Sequence, residues 1–142
     1  MLYYGVSILN FLPSPSLERD VFPSAQGFFL EKIEKLKIDI DGHVVAVEDI
    51  EGTDGLLARV TRLRGEGRIR AKAPRGVLVK APKSGQDLRF DLPTIGPRTV
   101  ERAIEAGLAG IAIIAGHTIV VEPQAMIAAA DSAGLFVTGL PA

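Results

Sequence analysis

The sequence predicts an α/β fold: a single domain in which a mixed sheet is covered by about three to four helices. Three observations carry this. From about residue 38 onward, short apolar runs alternate with segments of helical period. The strand candidates are apolar runs rather than polar alternations, which implies a sheet buried on both faces. Two candidate hairpins interrupt the alternation, which implies mixed strand directions. No internal repeat is present.

The front of the chain reads as an atypical N-terminal segment, residues 1–37, ahead of a domain at 38–142. Met1 to Leu9 is rich in Tyr, Val, Ile and Leu and predicts a strand. Pro13, Ser14, Pro15 and Ser16 break it. Ser24 to Leu36 predicts a helix with Phe28, Phe29, Ile33 and Leu36 near one face. Ile38 and Ile40 then alternate with polar residues, Asp41-Gly42 signals a hairpin, and His43 to Glu48 resumes a strand. Thr53 is placed to cap a helix reaching about Arg64, with Leu56, Leu57, Val60 and Leu63 as its apolar stripe and Gly65 as its stop. Gly76 to Lys80 is a short buried strand.

A long polar loop follows, from Ala81 to Pro97, and long loops inside compact domains are often functional. Pro97 opens a helix that ends at Gly107. Ala109 to Ala115 and His117 to Val121 are two more strands. Pro123 opens the last helix, lined by Met126, Ile127 and Ala130 and closed by Gly134. Leu135 to Thr138 is the final strand.

Composition narrows the function classes. The chain has 142 residues, 47% of them hydrophobic and 23% charged. That suits one core and argues against disorder. Net charge is −1, so nothing global draws the chain to nucleic acid. The absence of cysteine excludes disulfides and thiolate chemistry. No apolar run reaches the roughly 20 residues of a spanning helix. The first residues lack the positive flank of a signal peptide, so a cytoplasmic protein is expected.

Two stretches concentrate chemistry. Lys80 to Pro97 holds Lys80, Lys83 and Arg89 among Gln86, Asp87 and Asp91. Cations and carboxylates mixed in one glycine-bearing loop suit a phosphate ester with a divalent metal. The alternative is a solvated loop with ordinary ion pairs. Val47 to Leu57 crowds Glu48, Asp49, Glu51 and Asp54 around a strand-to-helix turn with Gly52 and Gly55. A helix N-terminus offers N–H groups to an anion, while Thr53 and Asp54 are also what any helix start prefers. His43 and His117 lie in no metal-ligand spacing and read as structural or surface residues. Arg68, Arg70, Lys72 and Arg75 read as a solvated basic loop, the alternative being contact with an anionic substrate or membrane surface.

Several motifs converge on one family. VVAVEDIEGTDGLLARV, GVLVKAPKSGQDLRFDLPTIGPRTVE, AGLAGIAIIAG and the ending AADSAGLFVTG resemble the C-terminal domain of the LpxI-type UDP-2,3-diacylglucosamine pyrophosphatases. The similarity covers about residues 38 to 142, and KAPKSGQDLRFDLPTIGP is its most specific block. The resemblance implies magnesium-dependent hydrolysis of UDP-2,3-diacylglucosamine to UMP and lipid X, a step of lipid A synthesis in Gram-negative bacteria. The resemblance further implies that water attacks the phosphorus next to uridine, in a site between two domains. It also implies that Asp91, then Asp87, serve as catalytic and metal-binding acids. Lys80, Lys83 and Gln86 become candidates for phosphate or sugar contacts. Thr94 and Gly96 become candidate hydroxyl and backbone donors, and Glu51, Gly52, Thr53 and Asp54 help line the site.

The resemblance implies a Rossmann-like N-terminal domain that is expected to be missing here, and residues 1 to about 37 are expected not to match the family's segment leading into the second domain. Three expectations follow: a pyrophosphatase, a non-catalytic module binding lipid X or nucleotide sugar, or an inert self-associating fragment. A homo-oligomer and peripheral contact with the inner membrane are also expected.

Overall fold

A computed structural model describes residues 37–81 and 92–141. The expected strand Met1–Leu9 and helix Ser24–Leu36 lie outside the described residues, as do Lys83, Gln86, Asp87 and Asp91.

The described chain begins with β1 (Lys37–Ile40) and β2 (His43–Val47), an antiparallel hairpin. Asp41 and Gly42 both take positive φ, 54° and 79°, as a type I′ turn requires. The Asp39 carboxylate accepts the Gly42 N–H at 2.9 Å and braces the turn. Helix α1 (Gly52–Gly65) follows, then β3 (Val77–Lys80), β4 (Thr94–Ile95), α2 (Pro97–Glu105), β5 (Gly110–Ile114), β6 (Ile119–Val120), α3 (Pro123–Ala133) and β7 (Phe136–Leu140).

The main sheet has the order β2-β1-β3-β5-β7. β1 is antiparallel to both β2 and β3, whereas β3, β5 and β7 run parallel. The mixed directions follow from the connections. A two-residue turn forces β1 and β2 antiparallel, and helical crossovers through α2 and α3 return β5 and β7 parallel.

The expected strand His117–Val121 is present as the shorter β6, which pairs parallel with β4, joining Thr94 to Ile119 and Ile95 to Val120. β5 is flanked on both edges by β3 and β7, so its ladder is already complete. Gly116, at φ +76°, turns the chain away.

Residue alternation divides the strands between two apolar clusters. Ile38, Leu78, Ile111, Ile113 and Val137 pack with Leu56, Leu57 and Val60 of α1, Val100 and Ala103 of α2, and Met126 and Ala130 of α3. All three described helices therefore lie on one face. Val77, Val79, Ala112 and Phe136 form the cluster of the opposite face, and these residues are also buried. Burial on both faces explains why the strands read as apolar runs. Each large aliphatic side chain so buried contributes about 1.5–3 kcal/mol.

Pro97 and Pro123 open α2 and α3 as expected, and Gly107 and Gly134 end them in left-handed conformation at φ +66° and +65°. Thr53 does not cap α1, because the helix already begins at Gly52. Gly52 takes φ +69° and its N–H meets the Asp49 carbonyl at 3.3 Å. This tight turn starts the helix one residue early and releases the Thr53 hydroxyl for other partners. Among the described residues no helix is long and apolar enough to cross a membrane.

Candidate functional site

Lys80 is the last residue of β3, and its side chain gathers the other elements around it. Its Nζ donates to the Thr53 hydroxyl at 3.0 Å and to the Thr94 carbonyl at 2.6 Å. The Thr53 hydroxyl in turn donates to Glu48 Oε1 at 3.1 Å. One ammonium thus joins the end of β3, the first turn of α1, the residue following β2 and the start of β4. Burial pushes the Lys80 pKa down from its ordinary value, and the carboxylates of Glu48 and Asp54 pull it back up.

The first turns of α1 and α2 meet beside this ammonium. Asp54 and Arg98 form an ion pair of 2.7 Å between them. Both side chains are well exposed, so the pair orients the helix ends more than it stabilises them. Gly96 sits just before α2 in extended conformation at φ −168°. A Cβ there would lie 3.2 Å from the Val121 carbonyl, so glycine lets β6 approach closely.

The sequence-derived candidates divide three ways. Lys80, Thr53 and Thr94 come together, Asp54 acts on the Lys80 charge, and Gly52 and Gly96 adjoin the first turns of α1 and α2. Thr94 contributes its carbonyl, while its hydroxyl leans toward the Leu92 carbonyl at 3.4 Å. The Gly96 N–H points at the Thr99 hydroxyl at 3.4 Å. Glu51 turns back along α1, where its carboxylate accepts from Arg59 at 2.5 Å and 3.1 Å. Arg59 also donates to the Val47 carbonyl, which fixes the turn below Lys80. Lys83, Gln86, Asp87 and Asp91 fall outside the described residues.

Glu48 and Arg98 belong to this constellation although neither was among the expected site residues. Glu48 was visible only as one acid of a crowded turn. No spacing rule singles out the carboxylate whose Oε1 reaches Thr53. Ile50, in the same turn, is fully exposed and presents an apolar side chain at the rim.

Among the described residues no three His, Asp or Glu side chains converge as metal ligands. Glu48 accepts from Thr53, Glu51 from Arg59, and Asp54 pairs with Arg98. The described part holds one ammonium, bonded to a hydroxyl and a backbone carbonyl, among the carboxylates of Glu48 and Asp54. Each histidine ring lies against a backbone carbonyl of its own turn, His43 Nδ1 at Asp41 and His117 Nδ1 at Ala115.

A family model described as the LpxI C-terminal domain matches residues 32–138. The chain is also 55% identical, over 100 residues, to UDP-2,3-diacylglucosamine pyrophosphatase LpxI of Caulobacter vibrioides. That alignment covers 70% of this chain and 36% of the relative, so the chain spans about a third of the protein it matches.

Proposed function

This chain belongs to the LpxI C-terminal domain family, and we propose that it carries the phosphate-binding part of a site hydrolysing the pyrophosphate of UDP-2,3-diacylglucosamine to UMP and lipid X. The observation that supports this best is the Lys80 ammonium, held between the Thr53 hydroxyl and the Thr94 carbonyl where two helix starts meet. A pyrophosphate concentrates negative charge, and the departing phosphate gains more as the bond breaks. A fixed ammonium and helix N–H groups stabilise that charge without reorganising.

The residues gathered at Lys80 divide the work in this reading. Lys80 neutralises a phosphate oxygen, Thr53 and Thr94 hold it in place, and the first turns of α1 and α2 face the anion. Asp91 and Asp87 would hold magnesium, which when bound supplies further charge neutralisation at the phosphates. One of these carboxylates would also orient the attacking water. The two acyl chains of the substrate bring the reaction to the membrane surface, with the chain acting from the cytoplasmic side.

The test is UMP release from UDP-2,3-diacylglucosamine with magnesium, comparing this chain with Lys80→Met and Asp91→Ala. Turnover is expected, abolished in Asp91→Ala and lowered about 100-fold in Lys80→Met. Absence of both turnover and substrate protection against thermal unfolding would sink the reading. Protection without turnover would leave a binding module in place of an enzyme.

A further inference from the structure

We propose that Glu48 is a positioning residue for this site: through the Thr53 hydroxyl it holds the Lys80 ammonium in the orientation that meets a phosphate group. The inference deepens the function proposed above and rests on it, because it takes Lys80 as the cation that faces the ligand.

The argument starts from what a lysine lacks. Its ammonium is a point charge on a flexible four-carbon stem, with three donors and no acceptor. Fixing it requires acceptors from more than one direction. Thr94 supplies a backbone carbonyl at 2.6 Å. The second acceptor is the Thr53 hydroxyl at 3.0 Å, and a hydroxyl is an ambiguous partner because its proton can rotate. Glu48 removes that ambiguity. Its Oε1 accepts a hydrogen bond from the Thr53 hydroxyl at 3.1 Å, so the oxygen lone pairs are left for Lys80.

The chain Glu48 to Thr53 to Lys80 is also polarised in one direction. A carboxylate accepting from the hydroxyl makes that oxygen a better acceptor for the ammonium. The backbone makes the arrangement affordable: Glu48 directly follows β2, Thr53 lies in the first turn of α1, and Lys80 ends β3. Burial works against the charged form of Lys80, and Glu48 is the largest charge opposing that effect. Glu48 itself need not touch the ligand.

The test follows the Lys80 side-chain resonance by NMR in the full chain, assigned by its loss in Lys80→Met, with inorganic pyrophosphate as the probe. Pyrophosphate is expected to shift the resonance in the wild-type chain. Glu48→Gln and Thr53→Val should each weaken the pyrophosphate Kd about tenfold and lower the Lys80 pKa. Thr53→Ser, which keeps the hydroxyl, should bind like the wild type. Combining Glu48→Gln with Thr53→Val should weaken binding no further, because both break one chain. Thermal unfolding close to that of the wild type will show that the variants fold.

A Lys80 resonance that responds to pyrophosphate with the same Kd in Glu48→Gln overturns the inference and leaves the proposed function standing. Weak binding in Thr53→Val alone overturns it as well, since Thr53 would then act without Glu48. No response of Lys80 in the wild-type chain overturns the proposed function and this inference together.

Discussion

The Lys80 ammonium and the Thr53 hydroxyl, 27 residues apart, meet at 3.0 Å. The contact ties the end of a central strand to the first turn of a helix that enters from the hairpin at the sheet edge. β1 lies between β2 and β3, so the turn between Val47 and Gly52 crosses it to bring Thr53, at the start of α1, to the end of β3. The apolar stripe of Leu56, Leu57 and Val60 then fixes α1 by packing with Ile38 and Leu78 in the common core. The site geometry is therefore set by core packing, and changes remote from Lys80 can be felt there.

The half-buried charge predicts a pH dependence. Burial holds the Lys80 pKa below its ordinary value, so the folded chain gives up this proton at lower pH than the unfolded chain. Between the two pKa values the unfolded state binds more protons, and stability rises with pH. The cost of the buried charge is fully present below the folded pKa and is relieved as pH climbs toward the unfolded value of about 10.4. Urea unfolding at a series of alkaline pH values should show the wild-type chain gaining stability relative to Lys80→Met. A constant difference across that range would contradict the burial argument.

Gly110 is a packing requirement. It pairs with Phe136 across the parallel ladder of β5 and β7, and a Cβ at Gly110 would lie 2.3 Å from the Phe136 ring. The ring lies over the glycine and closes the second face of the sheet with Val77, Val79 and Ala112. Gly110→Ala should cost about 1–3 kcal/mol in chemical denaturation. Gly110→Ala combined with Phe136→Leu should cost less than the sum of the two changes, because the ring that clashes is gone. Additive costs would mean that the ring moves aside freely.

The residues that were legible in the sequence are those whose chemistry is local. Asp41-Gly42, Pro97, Pro123, Gly107 and Gly134 each demand one backbone conformation, and each sits where that conformation occurs. Thr53 misled because capping is a preference among several competing partners, and Gly52 turned the chain before Thr53 was needed. The partner of β6 was illegible because Thr94 and Ile95 make a two-residue strand inside a polar loop, with no period to betray it. For the site, family motifs pointed to Lys80, Thr53 and Thr94, but the part played by Glu48 exists only once β2, α1 and β3 are assembled.

Arg64 is predicted to matter more than its position suggests. Its guanidinium donates to the carbonyls of Ala106 at 3.0 Å, Arg75 at 3.0 Å and Gly107 at 3.3 Å, and to that of Ala71. These are carbonyls at the end of α2 and along the 66–76 loop, so one side chain closes both. Arg64→Ala should cost about 1–3 kcal/mol in urea unfolding. Arg64→Lys should rescue little, because a single ammonium cannot serve a planar fork of acceptors. Full rescue by lysine would show that charge rather than geometry holds the loop.

Gly52 separates backbone from contact at the site itself. At φ +69° it occupies left-handed space, yet a Cβ there would meet no atom within 4 Å. Gly52→Ala therefore carries a conformational cost of about 1–2 kcal/mol and no steric one. Asparagine tolerates this region better than alanine, so Gly52→Asn should recover part of the loss. The altered turn also moves Thr53, the next residue, away from its place between Glu48 and Lys80. Pyrophosphate binding should accordingly weaken in Gly52→Ala and return partly in Gly52→Asn, in the same order as stability. Equal stability of the glycine and alanine chains would show that the turn relaxes to a right-handed form without loss.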